Sequence, residues 1–212
     1  MDGSEAKKPS HEGNISSLVR KNCSQLFLVY AGLWRDFMPS APDFLRQCGL
    51  GDRNMTILRD PSNSFFENGV SSEINSVEAL LKWHYDFLTE QSHIDEVYSM
   101  GNSAGGYGAI LYGCMLGIDK VYAFSPSGPL RLEHLQGIIN HADGRTEVNV
   151  FYDPKHRRDA FFAEALGECK GVILHPSPEH IDDGHYVFMG MMERGELPNI
   201  FPPFKGSGDA AA

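Results

Sequence analysis

Short apolar runs, separated by polar segments, recur along most of this chain. Six of them are continuous in apolar character rather than alternating, which is typical of strands covered on both faces. They span residues 26–31, 55–58, 97–100, 121–124, 148–152 and 172–174. The pattern predicts a mostly parallel sheet of about six strands.

Several segments between these runs have apolar residues at spacings of three and four, which indicates helices. The longest predicted helix is capped by Ser71 or Ser72, and its apolar positions are Ile74, Val77, Leu80, Leu81, His84, Phe87 and Leu88. We interpret His84 as a core histidine, because it lies on that apolar face. Further helices are predicted from about Asp159 and from His185. Alternating strands and helices predict a three-layer α/β sandwich with right-handed crossovers.

The chain has 212 residues, of which 42% are hydrophobic and 22% charged, as in a soluble globular protein. This length suits one domain, which we place at residues 23–204. Polar and small residues dominate 1–22 and 205–212, so both ends are predicted to be disordered.

Charge and segment composition exclude several classes of function. A formal net charge of −10 argues against a nucleic-acid partner, and 156–158 is the only basic cluster. No apolar run is long enough for a membrane helix, and the first residues lack an apolar signal core, so a cytoplasmic protein is expected. The cysteines show no C-x-x-C pairing and no zinc motif occurs, so we expect no metal and no cofactor.

The segment Gly101-Asn102-Ser103-Ala104-Gly105 carries the clearest chemical signal. It follows a strand-like run and leads into an apolar helix, which is the setting of a G-x-S-x-G nucleophile elbow. Glycines at the flanking positions allow a turn tight enough to expose the serine. Ser103 is therefore the predicted nucleophile. The alternative is a glycine-rich turn that binds phosphate through backbone N–H groups.

A serine nucleophile needs a histidine base and a carboxylate that orients it, in the chain order serine, acid, histidine. The segment after the fifth predicted strand offers Asp153 and Asp159, and the segment after the sixth offers His180 and His185. Asp159 has a second interpretation as a helix cap. His156 shows no site pattern and is interpreted as a surface residue.

The elbow and the two loops resemble those of the α/β-hydrolase superfamily, specifically its small, capless serine esterases and thioesterases. The resemblance covers roughly residues 26–197. It implies the strand order 2-1-3-4-5-6 and favours Asp159 as acid and His185 as base. The short connection between the fourth and fifth strands leaves room for little or no cap.

Attack on a carbonyl also requires hydrogen-bond donors for the oxyanion. The predicted donors are the backbone N–H of Ala104 and those of Gly32 or Leu33, after the first strand. Trp34 and Phe65 are predicted to line the substrate pocket, although aromatic residues near strand ends are as often part of the core.

The leading hypothesis is a serine hydrolase that forms an acyl-enzyme from a small-molecule or carrier-bound ester or thioester. An acyltransferase or a cyclising thioesterase would use the same three residues. A non-catalytic binding module with this fold, and a nucleotide-binding protein, are the alternatives from other classes.

Overall fold

The computed structural model describes residues 13–32, 41–128, 131–177 and 184–205. The strands of these residues form one sheet: β1 (Ile15–Leu18), β2 (Gln25–Tyr30), β3 (Asn54–Leu58), β4 (Glu96–Asn102), β5 (Lys120–Phe124), β6 (Glu147–Tyr152) and β7 (Val172–Pro176). Their order across the sheet is β1-β3-β2-β4-β5-β6-β7. All neighbouring pairs are parallel except β1 with β3. The six predicted strands and their predicted order are thereby confirmed.

Helices cover both faces of the sheet. They are α1 (Ala41–Gln47), α2 (Val77–Glu90), α3 (Ala104–Leu116), α4 (Leu132–Ala142), α5 (Arg157–Leu166), α6 (Val187–Glu193) and α7 (Leu197–Ile200). Residues of α2 to α5 share one apolar cluster with the sheet, and residues of α1, α6 and α7 share the other. The predicted three-layer α/β architecture is confirmed.

Strand β2 shows why the strands are apolar without interruption. Leu26 and Leu28 point into the cluster beneath α2 to α5, whereas Phe27 and Val29 point into the opposite one. Successive side chains of a strand face opposite sides, so a sheet buried on both sides needs apolar residues at every position.

The ends of the chain differ from the prediction. Residues 15–18, predicted to be disordered, form the edge strand β1, whose Ile15 is buried. The apolar residues of β1, Ile15 and Leu18, lie three positions apart, so the segment lacks the alternation that identifies a strand. Its pairing with β3 stabilises the strand instead. At the other end Lys205, assigned to a disordered tail, donates its backbone N–H to Gln25 Oε1 at 3.1 Å. The remaining terminal residues, 1–12 and 206–212, lie outside the described part.

Helix α4 is the only helix between β5 and β6 in the described part of the chain. The molecule therefore has no large cap there, as the sequence predicted. In the described ranges, no helix is long and apolar enough to cross a membrane.

Candidate active site

Ser103 lies at the tight turn between β4 and α3. Its φ of 57° and ψ of −122° place a non-glycine residue at positive φ, a strain on the order of 1–3 kcal/mol. A Cβ atom on Gly101 would lie 2.1 Å from the Gly105 carbonyl oxygen, and one on Gly105 would lie 2.0 Å from that of Tyr30. Both positions therefore accept only glycine, which explains the local sequence.

A chain of two hydrogen bonds joins three side chains from distant segments of the chain. His185 Nε2 lies 2.7 Å from Ser103 Oγ, and His185 Nδ1 lies 2.8 Å from Asp159 Oδ2. An ionised carboxylate only accepts hydrogen bonds, so Nδ1–H donates to Asp159 and the Ser103 hydroxyl donates to Nε2 of the neutral ring. The structure brings the sequence-predicted residues Ser103, Asp159 and His185 together, with His185 between the other two.

The side chain of Asp159 is buried, with 1% exposed, whereas the side chain of His185 is 28% exposed. Asp159 lies in the first turn of α5, and His185 lies in a short 3-10 helix, Gly184–Tyr186. A buried carboxylate requires polar partners to offset its desolvation. The alternative acid, Asp153, accepts a hydrogen bond from the Lys155 backbone N–H at 2.8 Å. The alternative base, His180, lies outside the described residues.

His156 is a member of the site that the sequence analysis missed. Its Nδ1 lies 3.1 Å from Asp159 Oδ2, the same oxygen that His185 contacts. The two imidazole rings are 5.9 Å apart between centroids. His156 is half-buried rather than a surface residue, because α5 begins immediately after it and turns it toward Asp159. One signal for His156 was available in the sequence. It follows a predicted parallel strand, in the same segment that was searched for the acid.

Two of the predicted oxyanion donors, Ala104 and Gly32, lie next to Ser103. Ala104 opens α3, and the first N–H groups of a helix have no intrahelical acceptor. A Cβ atom on Gly32 would lie 3.0 Å from the Asn102 carbonyl oxygen and 3.8 Å from Ser103 Cβ, so the backbone after β2 passes beside the serine. Leu33 and Trp34 lie outside the described residues.

A cavity of about 300 Å³ opens at this point, lined by Phe65, Ser103, Ser127, His156, Arg158, Asp159 and His185. Phe65 was predicted to line it. Ser127 and Arg158 were not, since neither shows a local motif. Ser127 Oγ lies 3.2 Å from Ser103 Oγ. Because the Ser103 proton is directed to His185, Ser127 is the donor in this contact.

The ion pair of Arg131 with Glu67 packs against Phe65, one of the residues that line the cavity. Arg131 lies over the ring of Phe65 at 5.0 Å and donates to Glu67 Oε1 at 2.7 Å. Tyr107 also donates to this oxygen, at 2.9 Å. Burial and, secondarily, the hydrogen bond to Glu67 raise the pKa of Tyr107, and the hydrogen bond to Glu67 raises that of Arg131. Tyr107 therefore stays neutral and Arg131 charged near neutral pH.

The three groups His156, Asp159 and His185 place one ligand atom each within 4.8 Å of one another. A metal ion bound there would take the Nδ1 lone pair of His185 and break the hydrogen bond to Asp159. The hydrogen bond between His185 and Asp159 accounts for the close approach of these side chains without a metal ion. The expectation that the protein uses no metal or cofactor stays a prediction.

No protein-family model matches this chain, and no curated protein matches it. Solved structures do match. The predicted CIB-like hydrolase from Thermoplasma acidophilum is 17% identical, with a TM-score of 0.61 over 87% of this chain and 88% of that chain. A lipase-esterase related protein from Clostridium acetobutylicum is 12% identical, with a TM-score of 0.55 over 88% and 98%. The capsule O-acetyltransferase of Neisseria meningitidis serogroup A, in complex with CoA, is 12% identical, with a TM-score of 0.56 over 87% and 92%. The chain therefore has the α/β-hydrolase fold.

Proposed function

We propose that this α/β-hydrolase-fold protein is a serine hydrolase that cleaves an ester or thioester through an acyl-enzyme on Ser103. The observation that carries the proposal is the 2.7 Å contact between His185 Nε2 and Ser103 Oγ, within a continuous chain of hydrogen bonds to the buried Asp159. A serine hydroxyl is a weak nucleophile until a base takes its proton. His185 is the base within reach of that proton.

The reaction assigns one role to each group. His185 takes the Ser103 proton as the oxygen attacks the substrate carbonyl, and Asp159 stabilises the imidazolium and holds Nδ1–H. The N–H groups of Ala104 and of the backbone at Gly32 and Leu33 bind the oxyanion. His185 then donates its proton to the leaving oxygen or sulfur, and the acyl group stays on Ser103.

Water or another nucleophile completes the cycle when His185 deprotonates it. Between β5 and β6 the described residues form no large cap that would exclude bulk water or a large acceptor from the acyl-enzyme. Likeness in fold to both an esterase-related protein and an O-acetyltransferase is consistent with either outcome. Acyl transfer is therefore the second candidate function. A carrier-bound thioester, such as acetyl-CoA, is one acyl donor to include in the substrate panel.

The test is intact-mass analysis after treatment with a fluorophosphonate, followed by a panel of ester and thioester substrates. We expect one adduct on the wild type, on the Ser103 peptide. Ser103→Ala and His185→Ala should each lower kcat by on the order of 10⁶, because such residues act as a unit. The exposed Ser72 is the matched control, and Ser72→Ala should label and turn over as the wild type does.

Circular dichroism and thermal unfolding of each variant separate lost chemistry from lost folding. A wild type that stays unlabelled while a reference serine hydrolase labels fully would contradict the proposal and favour the binding-module alternative. Product analysis with added alcohols distinguishes hydrolysis from acyl transfer.

A further inference from the structure

A basic segment lies at the catalytic cavity of an otherwise acidic protein. The chain carries a formal net charge of −10, yet residues 155–158 read Lys-His-Arg-Arg. Two of these, His156 and Arg158, line the cavity that contains Ser103, and the Arg158 side chain is exposed to solvent. Arg157 is also exposed but does not line the cavity.

Arg158 has no counter-ion among the described residues. No carboxylate of the described ranges forms an ion pair with it, whereas Arg131, which lies over the ring of Phe65, is paired with Glu67 at 2.7 Å. The adjacent carboxylate, Asp159, is buried, and its Oδ2 contacts the two imidazole rings instead. The cavity therefore contains a fixed positive charge whose five N–H donors are not used by the described parts of the protein.

We propose that Arg158 is a specificity-determining residue that binds an anionic group, a carboxylate or a phosphate, on the substrate of Ser103. This inference rests on the proposed function and names its substrate class. A planar guanidinium binds such groups through two parallel hydrogen bonds. A protein with a strongly negative net charge repels anions at long range, so selecting an anionic ester requires a local cation at the site. The ring of Phe65 supplies an apolar wall for the rest of the substrate.

The experiment compares charged and neutral members of two ester pairs. In the first pair the anion is on the acyl side: p-nitrophenyl hemisuccinate and its methyl ester. In the second it is on the alcohol side: 4-acetoxybenzoate and its methyl ester. For each substrate, kcat/KM of the variant is divided by kcat/KM of the wild type. Differences in intrinsic reactivity between the esters then cancel.

We expect Arg158→Ala to lower kcat/KM for at least one anionic ester about tenfold, as for loss of a hydrogen bond to a charged group, with the neutral partner changed less than about twofold. Arg158→Glu should lower it further. Arg157→Ala is the matched control, one residue away in the same basic segment. For this variant, kcat/KM relative to the wild type should stay near one on the charged and on the neutral esters. Added salt should reduce the wild-type preference, because it screens the charge. The pair that responds locates the anion on the acyl or the alcohol side.

Equal losses on charged and neutral esters, or equal effects of Arg157→Ala and Arg158→Ala, would overturn the inference, the second by reducing it to general surface charge. Unchanged ratios in both pairs would also overturn it. These results are distinct from failure of the proposed function, because a neutral ester hydrolysed through Ser103 establishes the chemistry whatever Arg158 does. Absence of labelling at Ser103 would remove both proposals together.

Discussion

Asp159 combines two properties that are costly to combine, a formal charge and 1% side-chain exposure. Its Oδ2 is hydrogen-bonded to His185 Nδ1 at 2.8 Å, and His156 Nδ1 lies 3.1 Å from the same oxygen without forming a hydrogen bond. A buried charge persists only where partners offset its desolvation. In the resting site, the hydrogen bond that His185 Nδ1–H donates to Asp159 Oδ2 provides part of that compensation.

Asp159→Asn should therefore depress the rate by on the order of 10⁴ while the protein stays folded, because an amide can hold His185 in the wrong tautomer. The measurement is kcat/KM on a reactive ester, with thermal unfolding as the check on the fold. Asp153→Asn is the matched control and should be much milder, since His185 Nδ1 is hydrogen-bonded to Asp159 and not to Asp153. A larger loss of rate in Asp153→Asn, with folding intact, would move the acid to Asp153.

At the scale of the element, the elbow depends on close approach of β2, β4 and α3. A Cβ atom on Gly105 would lie 2.0 Å from the backbone oxygen of Tyr30 in β2, and backbone moves only with its strand. Gly105→Ala should therefore lower the free energy of unfolding by several kcal/mol, at the upper end of the range for single substitutions, and abolish activity.

Gly137 is the matched control for that substitution. It lies in α4, where an added Cβ atom would meet nothing within 4 Å. Gly137→Ala should raise stability by about 0.5–1 kcal/mol, because alanine is the better helix former. Urea unfolding measures both. A Gly105→Ala variant as stable as the wild type would show that the elbow can relax.

Local signals account for what the sequence predicted. The strands were predictable because both faces of each are buried, and Ser103 was predictable because its turn requires glycines nearby in the chain. The predicted start of α2, at Ser71 or Ser72, was wrong for a physical reason. Ile74 is buried and fits the apolar period, but its carbonyl accepts from Val70 N–H in a turn, and Ser76 caps the helix by accepting from Ala79 N–H at 3.2 Å.

Contacts between distant segments explain the rest. Asp159 and His185 followed from the resemblance, not from any local pattern. His156 and Ser127 join the site only because the loops after β6 and β5 meet at one edge of the sheet, a property of the strand order rather than of either segment. Parallel strands bring such loops together at their carboxyl ends.

At the scale of the whole molecule, one buried histidine links the sheet to the layer that covers it. His84 of α2 accepts from the Tyr30 hydroxyl of β2 at Nε2, at 2.8 Å, and its Nδ1 lies 2.7 Å from the Leu80 carbonyl oxygen. Nδ1 must therefore carry the proton of the neutral ring. His84 is fully buried, as predicted for a core histidine.

Burial lowers the pKa of His84 from 6.5 to about 4, and the bond to Leu80 only partly offsets this. Because the unfolded chain binds the proton first, the neutral ring contributes stability above pH 6.5 that is lost as the pH falls toward 4. The slope is about 1.4 kcal/mol per pH unit, and the whole loss is on the order of 3 kcal/mol. Glu96, whose pKa is lowered to about 2, loses its contribution only below pH 4.5.

Urea unfolding of the wild type should therefore show a falling free energy of unfolding between pH 6.5 and 4. His84→Gln keeps a side-chain acceptor for Tyr30 and does not titrate, so it should be less stable at pH 7.5 yet lose less stability on acidification. His141→Gln makes the same change at an exposed histidine and should retain the wild-type slope. If His84→Gln keeps the full slope as well, the acid sensitivity of this fold arises from other groups, and His84 is merely a well-packed core residue.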